Sequence, residues 1–159
     1  MQTSKLVLAM LGALPAVALS TTCPAQEQGG HHSGAFEPGH VLGLFLGETS
    51  EDRRGSFTLG LEYEYRISPE LGLGLTAEHI GGDFDTNVFV VPIARHYGPW
   101  KVYAGPGVER RDGENEGLLR VGVEYGFHFG DYEISPQIDF DWVDGERLFV
   151  VGVVFAREF

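Results

Sequence analysis

The sequence predicts an all-β protein, an eight-stranded antiparallel up-and-down β-barrel. Apolar and polar residues alternate in segments of roughly ten residues, the length of a membrane-crossing strand. No stretch of useful length has a helical period, and turn-forming residues separate the segments. The number of segments is even, as in membrane barrels whose N- and C-termini lie on the same side of the membrane. The predicted strands are 40–48, 56–67, 71–80, 87–97, 100–110, 117–130, 132–143 and 147–159.

Two segments precede the predicted barrel domain, 40–159. Residues 1–25 join an early cation, Lys5, to the apolar run 6–19 and then to small residues, the pattern of a secretory signal peptide. Residues 26–39 lack periodicity and predict a flexible lead-in. The one cysteine, Cys23, lies within the predicted signal peptide, so we expect no disulfide in the mature domain.

The charge of the chain restricts its partners. The formal net charge is −12 at pH 7. A surface of this sign repels phosphate backbones, which argues against a nucleic-acid partner.

The connections between the predicted strands fall into two kinds. Tight turns are predicted at 68–70, 97–99 and 130–131. The connections on the other side are more charged and mostly longer. They are 48–55, 81–87, 110–117 and 144–146. Short periplasmic turns and longer outer loops are typical of outer-membrane barrels.

Glycine indicates which face of the strands points inward. An open strand position loses about 0.5–1 kcal/mol when glycine replaces alanine, so repeated glycine needs a cause. Crowding inside a narrow eight-stranded barrel supplies one, which predicts that the polar, glycine-bearing face is inside and the apolar face outside. The glycines of that face are Gly43, Gly47, Gly60, Gly72, Gly74, Gly105, Gly107, Gly122, Gly126, Gly130 and Gly152.

Aromatic residues collect near both ends of the predicted strands, as in the girdles of membrane barrels. One group is Tyr65, Tyr97, Trp100, Phe129, Tyr132 and Phe159; the other is Phe57, Phe89, Trp142 and Phe149. The last strand alternates from Phe149 and ends on the aromatic Phe159. With these features the chain resembles the small eight-stranded outer-membrane β-barrel family, the OmpA- and OmpX-like transmembrane barrels, over about residues 38–159.

The resemblance implies an outer-membrane location and a monomer that contacts outer-membrane lipid and lipopolysaccharide. It also implies that the barrel-assembly machinery recognises the strand ending in Phe159. No cofactor and no enzymatic activity are implied. We therefore expect a structural or surface-interaction role with short acidic outer loops. Arg53, Arg54, Arg110 and Arg111 in those loops are candidate contacts for lipopolysaccharide phosphates.

Charged residues on the inward face form the candidate site. Acids outnumber bases, and buried charges need partners, so the first interpretation is a plug of salt bridges. The alternative is a narrow cation-preferring pore, although eight strands generally leave no continuous channel. The predicted polar network is Glu62, Glu64, Arg66, Lys101, Glu109, Arg120, Glu124, His128 and Asp139, with Glu78, Glu133 and Asp141 on the same face.

Three further hypotheses remain open. A soluble lipocalin-like barrel would have the same alternation with the aromatic face turned inward. His79 has outward parity near an outer loop, where a lipid-active enzyme would need it, but no serine stands beside it in the sequence. His31, His32, His40 and Glu37 are possible metal ligands, although their spacing matches no closed zinc site.

Overall fold

The computed structural model of the chain describes residues 37–51, 54–82 and 84–159. The predicted signal peptide, most of the predicted lead-in, His31, His32 and Arg53 lie outside these residues. None of the described residues belongs to a helix that is long and apolar enough to cross a membrane.

Ten β-strands make up the described chain, and each pairs antiparallel with its neighbours. They are β1 (Gly39–Glu51), β2 (Arg54–Arg66), β3 (Leu71–Ile80), β4 (Thr86–Val90), β5 (Ile93–Tyr97), β6 (Trp100–Arg111), β7 (Glu114–Tyr125), β8 (Phe127–Phe129), β9 (Tyr132–Val143) and β10 (Glu146–Glu158).

Two interruptions divide eight barrel strands into these ten. Pro92 separates β4 from β5, yet both strands pair with β3 in one register. Pro136 of β9 lies opposite Tyr125, the last residue of β7, and β8 resumes after Gly126 without a change of register. Proline has no N–H to donate to the ladder, so the pairing stops at these positions while the strand continues. The prediction of eight antiparallel strands is confirmed.

The sheet closes on itself, because β10 pairs with both β9 and β1. Paired residues can be followed once around the wall from His40, and they return to the same strand at Ser50. This stagger tilts the strands against the barrel axis. The path runs His40, Tyr65, Leu73, Ile93, Ala104, Val121, Phe140, Phe149 and Ser50.

The apolar face of the strands points outward, as the glycine pattern predicts. Phe57 is 63% exposed and Ile93 is 60% exposed, whereas Arg120 and Asp139 are buried. Large apolar side chains are exposed on every strand of the barrel wall. The lipocalin-like alternative is therefore wrong, because it requires this face to line the interior.

The connections at the two ends of the barrel correct one prediction. The end that carries Phe159, here the terminal end, has connections at 67–70, 98–99 and 130–131. The opposite hairpin end has connections at 52–53, 81–85, 112–113 and 144–145. The longer loops expected at 48–55 and 110–117 are instead mostly strand.

Two-residue turns explain this difference in length. Asp112 and Gly113 have φ of 53° and 87°, and Asp144 and Gly145 have φ of 44° and 93°. Positive φ at both central residues is the geometry of a type I′ hairpin turn, which Asp-Gly favours. The flanking charged residues consequently continue the ladder, with Arg111 opposite Glu114.

Candidate functional site in the barrel interior

Arg120 of β7 occupies the middle of the interior and is 1% exposed. Its guanidinium donates to Glu78 of β3 at 2.6 and 2.7 Å. It also donates to both carboxylate oxygens of Asp141 of β9, at 2.7 Å each. Two forked ion pairs on one guanidinium engage four of its five N–H donors. The cluster joins three strands across the lumen.

Asp139 extends the cluster toward the terminal end. The Tyr103 hydroxyl donates to Asp139 Oδ1, and Gln137 Nε2 donates to Asp139 Oδ2 at 2.6 Å. Arg120 NH1 lies 3.9 Å from the same carboxylate. Asp139 thus has partners on both oxygens, as a buried carboxylate requires.

Glycine gives this cluster its space. A Cβ on Gly122 would collide with the Tyr103 ring and the Asp139 carboxylate. Likewise, a Cβ on Gly152 would lie 2.5 Å from the buried Phe45 ring. The inferred reason for the glycines, crowding inside a narrow wall, holds at both positions.

A second group of ion pairs lies nearer the terminal end. Glu64 accepts from His96 Nε2 at 2.6 Å and lies 3.1 Å from Arg66 Nε. Lys101 Nζ is 2.6 Å from Glu124 and 3.6 Å from Glu64. Apart from His96, these residues line a cavity of about 40 Å³ together with Glu62. Apolar residues such as Val41 and Val154 complete its lining, and a cavity of this size has room for water but for little else.

A layer of buried apolar side chains lies on the other side of Arg120, toward the hairpin end. Its members are at most 7% exposed and come from both halves of the chain. The interpretation of the inward face as polar missed this layer, although the inward parity of these residues along their strands could have revealed it. They are Ile80, Phe84, Val88, Val90, Leu118, Val143 and Leu148.

Acidic residues surround the opening at the hairpin end. They line a cleft of about 260 Å³ with one cation, Arg111. Arg111 pairs with Glu109 at 3.0 Å and donates to Thr86 Oγ1 at 3.0 Å. A hydrogen bond with Glu146 and burial raise the pKa of Glu51, which ends β1 beside this cleft. The other lining residues are Asp112, Glu114, Glu116, Asp144 and Glu146.

Most residues of the predicted polar network face the interior. Glu64, Glu109, Arg120, Glu124 and Asp139 are buried, and Glu62, Arg66 and Lys101 are half-buried. His128 is a correction, because its side chain is 56% exposed and pairs with Glu133 at 2.8 Å. It lies on β8 at the terminal end. A residue there can alternate with the inward-facing set and still be exposed, because the strand extends past the closed interior.

Two other candidate histidines, His79 and His40, have neither a second typical metal ligand nor a serine or cysteine nucleophile among the hydrogen-bond partners of their rings in the described chain. His79 points outward, and its Nδ1 lies 3.2 Å from Asn87 Oδ1. His40 Nδ1 lies 2.7 Å from the Tyr63 hydroxyl, and its ring stacks on Phe159. Within the described part of the chain, no three His, Cys, Asp or Glu residues are grouped to hold a metal ion.

Comparison with known proteins identifies the fold. The N-terminal β-barrel domain of OprF from Pseudomonas aeruginosa superposes with a TM-score of 0.61, covering 77% of this chain and 100% of that domain at 12% identity. The fold is that of a small outer-membrane β-barrel. No family model and no curated protein matches the sequence.

Other barrels of the same fold give lower scores. The Yersinia pestis outer-membrane protein Ail in a phospholipid bilayer nanodisc has a TM-score of 0.51 at 11% identity, covering 77% of this chain and 100% of Ail. Ail has also been solved with the heparin analogue sucrose octasulfate, with a TM-score of 0.50 at 13% identity, covering 78% and 100% of the two chains. A de novo designed transmembrane β-barrel has a TM-score of 0.51 at 14% identity, covering 73% and 94%.

Proposed function

We propose that the protein is an outer-membrane β-barrel with a closed interior and a structural or surface-interaction role. The outward apolar face around a lumen of ion pairs carries this proposal. The outward path from Tyr65 to Phe149 contains only apolar or aromatic residues. An apolar surface of this extent is unsuited to water and fits the hydrocarbon of a bilayer.

The ends of this apolar face fit the two interfaces of a membrane. At the terminal end, Arg95 lies 5.2 Å from the Tyr97 ring and Arg157 lies 5.5 Å from the Tyr132 ring. Cation–π pairs of arginine and tyrosine suit the headgroup region, where one side of the ring is apolar and the other is wet. We assign the terminal end to the periplasm and the hairpin end to the outside.

The interior supports a plug over a pore. A permeating ion would have to pass the Arg120 cluster and then the apolar layer around Leu118 and Val88. An ion loses its hydration at an apolar constriction without gaining ligands there. The alternative, a narrow pore, therefore needs both layers to open.

The remaining parts of the proposal concern activity and partners. The role is non-enzymatic and needs no cofactor. His79 is the candidate catalytic histidine, and its ring hydrogen-bonds to the side-chain amide of Asn87 rather than to a nucleophile. The partners are outer-membrane lipid and lipopolysaccharide, together with the assembly machinery that receives the Phe159 strand. The working unit is a monomer.

The cleft at the hairpin end is unsuited to a polyanion such as the sucrose octasulfate solved with Ail. The cleft at the hairpin end carries five acidic residues and one arginine. A polyanion entering this cleft would meet repulsion from most of its lining. We propose that anions instead bind to the outward-facing residues at the hairpin end of the barrel.

Fractionation and gel mobility test the membrane assignment. The full-length chain should sediment with outer membranes, and its gel mobility should change when the sample is boiled, because a closed hydrogen-bonded wall resists detergent at room temperature. A soluble chain with no mobility change would overturn the proposal. In planar bilayers we expect no conductance steps, and regular steps would favour the pore.

A further inference from the structure

The rim of the barrel at the hairpin end has different chemistry on its inner and outer sides. Along β6 and β7, Glu109, Glu114 and Glu116 have inward parity, and the last two line the acidic cleft. Arg110 and Asn115 lie between them in the sequence and point outward, paired with each other across the ladder. The acids therefore face the lumen side of the wall, while Arg110 points away from it on the outer side.

The outward polar row extends over two more strands. Arg110 pairs with Asn87 of β4, and Asn87 pairs with His79 of β3. The His79 ring donates from Nδ1 to Asn87 Oδ1 at 3.2 Å, which leaves the amide N–H₂ of Asn87 for another acceptor. Arg111 is the inward arginine of this hairpin and pairs with Glu109. Arg110 has no such ion pair with a described residue.

The neighbouring row of outward residues, one step closer to the middle of the barrel wall, is apolar. This row indicates how deep in a membrane the polar donors would lie. Two residues nearer the middle of the barrel, the outward positions are Ala77, Phe89, Val108 and Gly117, and they pair in that order. A cation and amide donors directly above apolar side chains lie where lipid phosphates meet acyl chains. Guanidinium and amide donors are suited to phosphate oxygens.

A shallow, open groove lies on the outer wall nearer the middle of the barrel, separated from this row by Pro106 and Leu119. It has a volume of about 510 Å³ and is lined mostly by outward apolar residues around the small Ala104. Arg110 is six positions after Ala104 along β6; at ~3.3 Å per residue and a tilt of ~40°, this is a depth of ~15 Å. One leaflet of a bilayer has about that hydrocarbon thickness. An acyl chain whose phosphate is at Arg110 would therefore end at the depth of the groove.

We propose that this side of the barrel binds one lipopolysaccharide molecule of the outer leaflet. Arg110 and the donors of Asn87 and Asn115 hold a phosphate of its lipid anchor, and an acyl chain lies in the groove around Ala104. His79 orients Asn87 and is a positioning residue. The inference rests on the proposed outer-membrane function and adds the site and the ligand chemistry.

Replacement of Arg110 by glutamine tests the phosphate contact, with Arg147→Gln as the matched control. Arg147 also points outward at the hairpin end, but it lies on β10 beside Trp142. Each purified full-length variant is reconstituted in phosphatidylcholine vesicles that contain purified lipopolysaccharide, and the lipopolysaccharide retained after extraction is measured. We expect Arg110→Gln to weaken retention about tenfold, the effect of losing a charge-assisted contact, and Arg147→Gln to leave it unchanged.

Two further arms identify the source of the phosphate and the role of the groove. Wild type should retain lipopolysaccharide with a dephosphorylated lipid anchor only weakly. The expected level is that at which Arg110→Gln retains intact lipopolysaccharide. Millimolar inorganic phosphate should not compete with intact lipopolysaccharide for wild type. Ala104→Leu should reduce retention of intact lipopolysaccharide by filling the groove. His79→Gln should weaken retention only for the phosphorylated lipid, whereas a merely structural effect would change both lipids equally.

The proposal is overturned if both arginine variants weaken retention equally, if dephosphorylation has no effect, or if inorganic phosphate competes. A shift in gel mobility on boiling shows for each variant that the barrel has formed. If wild type itself fails to insert into vesicles, the outer-membrane function falls with it. If wild type inserts and Arg110→Gln binds normally, only the lipid site is wrong.

Discussion

His40 and Phe159 join the first and last strands of the barrel at the terminal end. Their backbones exchange hydrogen bonds of 3.2 and 2.9 Å, and their ring centroids are 5.8 Å apart in a stacked arrangement. The Phe159 side chain is otherwise exposed on the outward face. The terminal aromatic thus takes part in closure of the wall, in addition to any role as an assembly signal.

Phe159→Ala should lower the yield of folded barrel in cells, because it removes the stack on His40 at the seam. The fraction of protein that shows a mobility shift in outer-membrane preparations measures this. Phe155→Ala is the matched control, since Phe155 is an outward, exposed phenylalanine on the same strand. Equal yields for the two variants would contradict a special role for the last residue.

Arg120→Met should destabilise the barrel by about 3–5 kcal/mol, because Glu78 and Asp141 would remain buried without their cation. Denaturant unfolding in detergent measures the loss. The triple variant Arg120→Met, Glu78→Gln, Asp141→Asn removes the unpaired charges and should recover most of the stability. If the triple variant is as unstable as the single one, lost packing rather than charge explains the effect.

Gly122→Ala should destabilise the barrel, since its Cβ would collide with Tyr103 and Asp139. Gly117→Ala is the control, because a Cβ there meets nothing within 4 Å. It should be neutral or stabilising by up to about 1 kcal/mol, through the lower chain entropy of alanine. Unfolding midpoints of both variants against wild type measure the difference, and a harmless Gly122→Ala would refute the crowding argument.

The free energy of unfolding should decrease as the pH rises, because the barrel is more stable when Glu51 is protonated. Its hydrogen bond with Glu146 and its burial raise its pKa, so the folded state favours the protonated form. The resulting stabilisation is complete below the ordinary glutamate pKa of about 4.3 and is lost as the pH rises through the raised pKa. Glu51→Gln should remove this part of the pH dependence in unfolding curves from pH 4 to 8.

Glu48→Gln removes the same charge from the outward face of β1 and is the control for that experiment. Its pH dependence should follow that of wild type. A Glu51→Gln variant with the wild-type slope would show that another group causes the dependence.

The sequence by itself determined the strand number, the direction of the faces and most of the interior charges. Period-two alternation assigns each residue to one of two faces, and glycine on the polar face then indicates which side is crowded. The same parity placed Arg120, Glu124 and Asp139 inside. It failed at His128, because parity does not tell how far the wall extends beyond a strand end.

The tertiary structure decided the partners and the layers. Arg120 of β7 and Asp141 of β9 are direct cross-strand partners, whereas Glu78 of β3 reaches the same level only through the closure and stagger of the barrel. The apolar layer around Leu118 and the outward row of Arg110, Asn87 and His79 also depend on register between strands. Alternation specifies the face of each residue but not its height, because height is fixed by pairing across the whole wall.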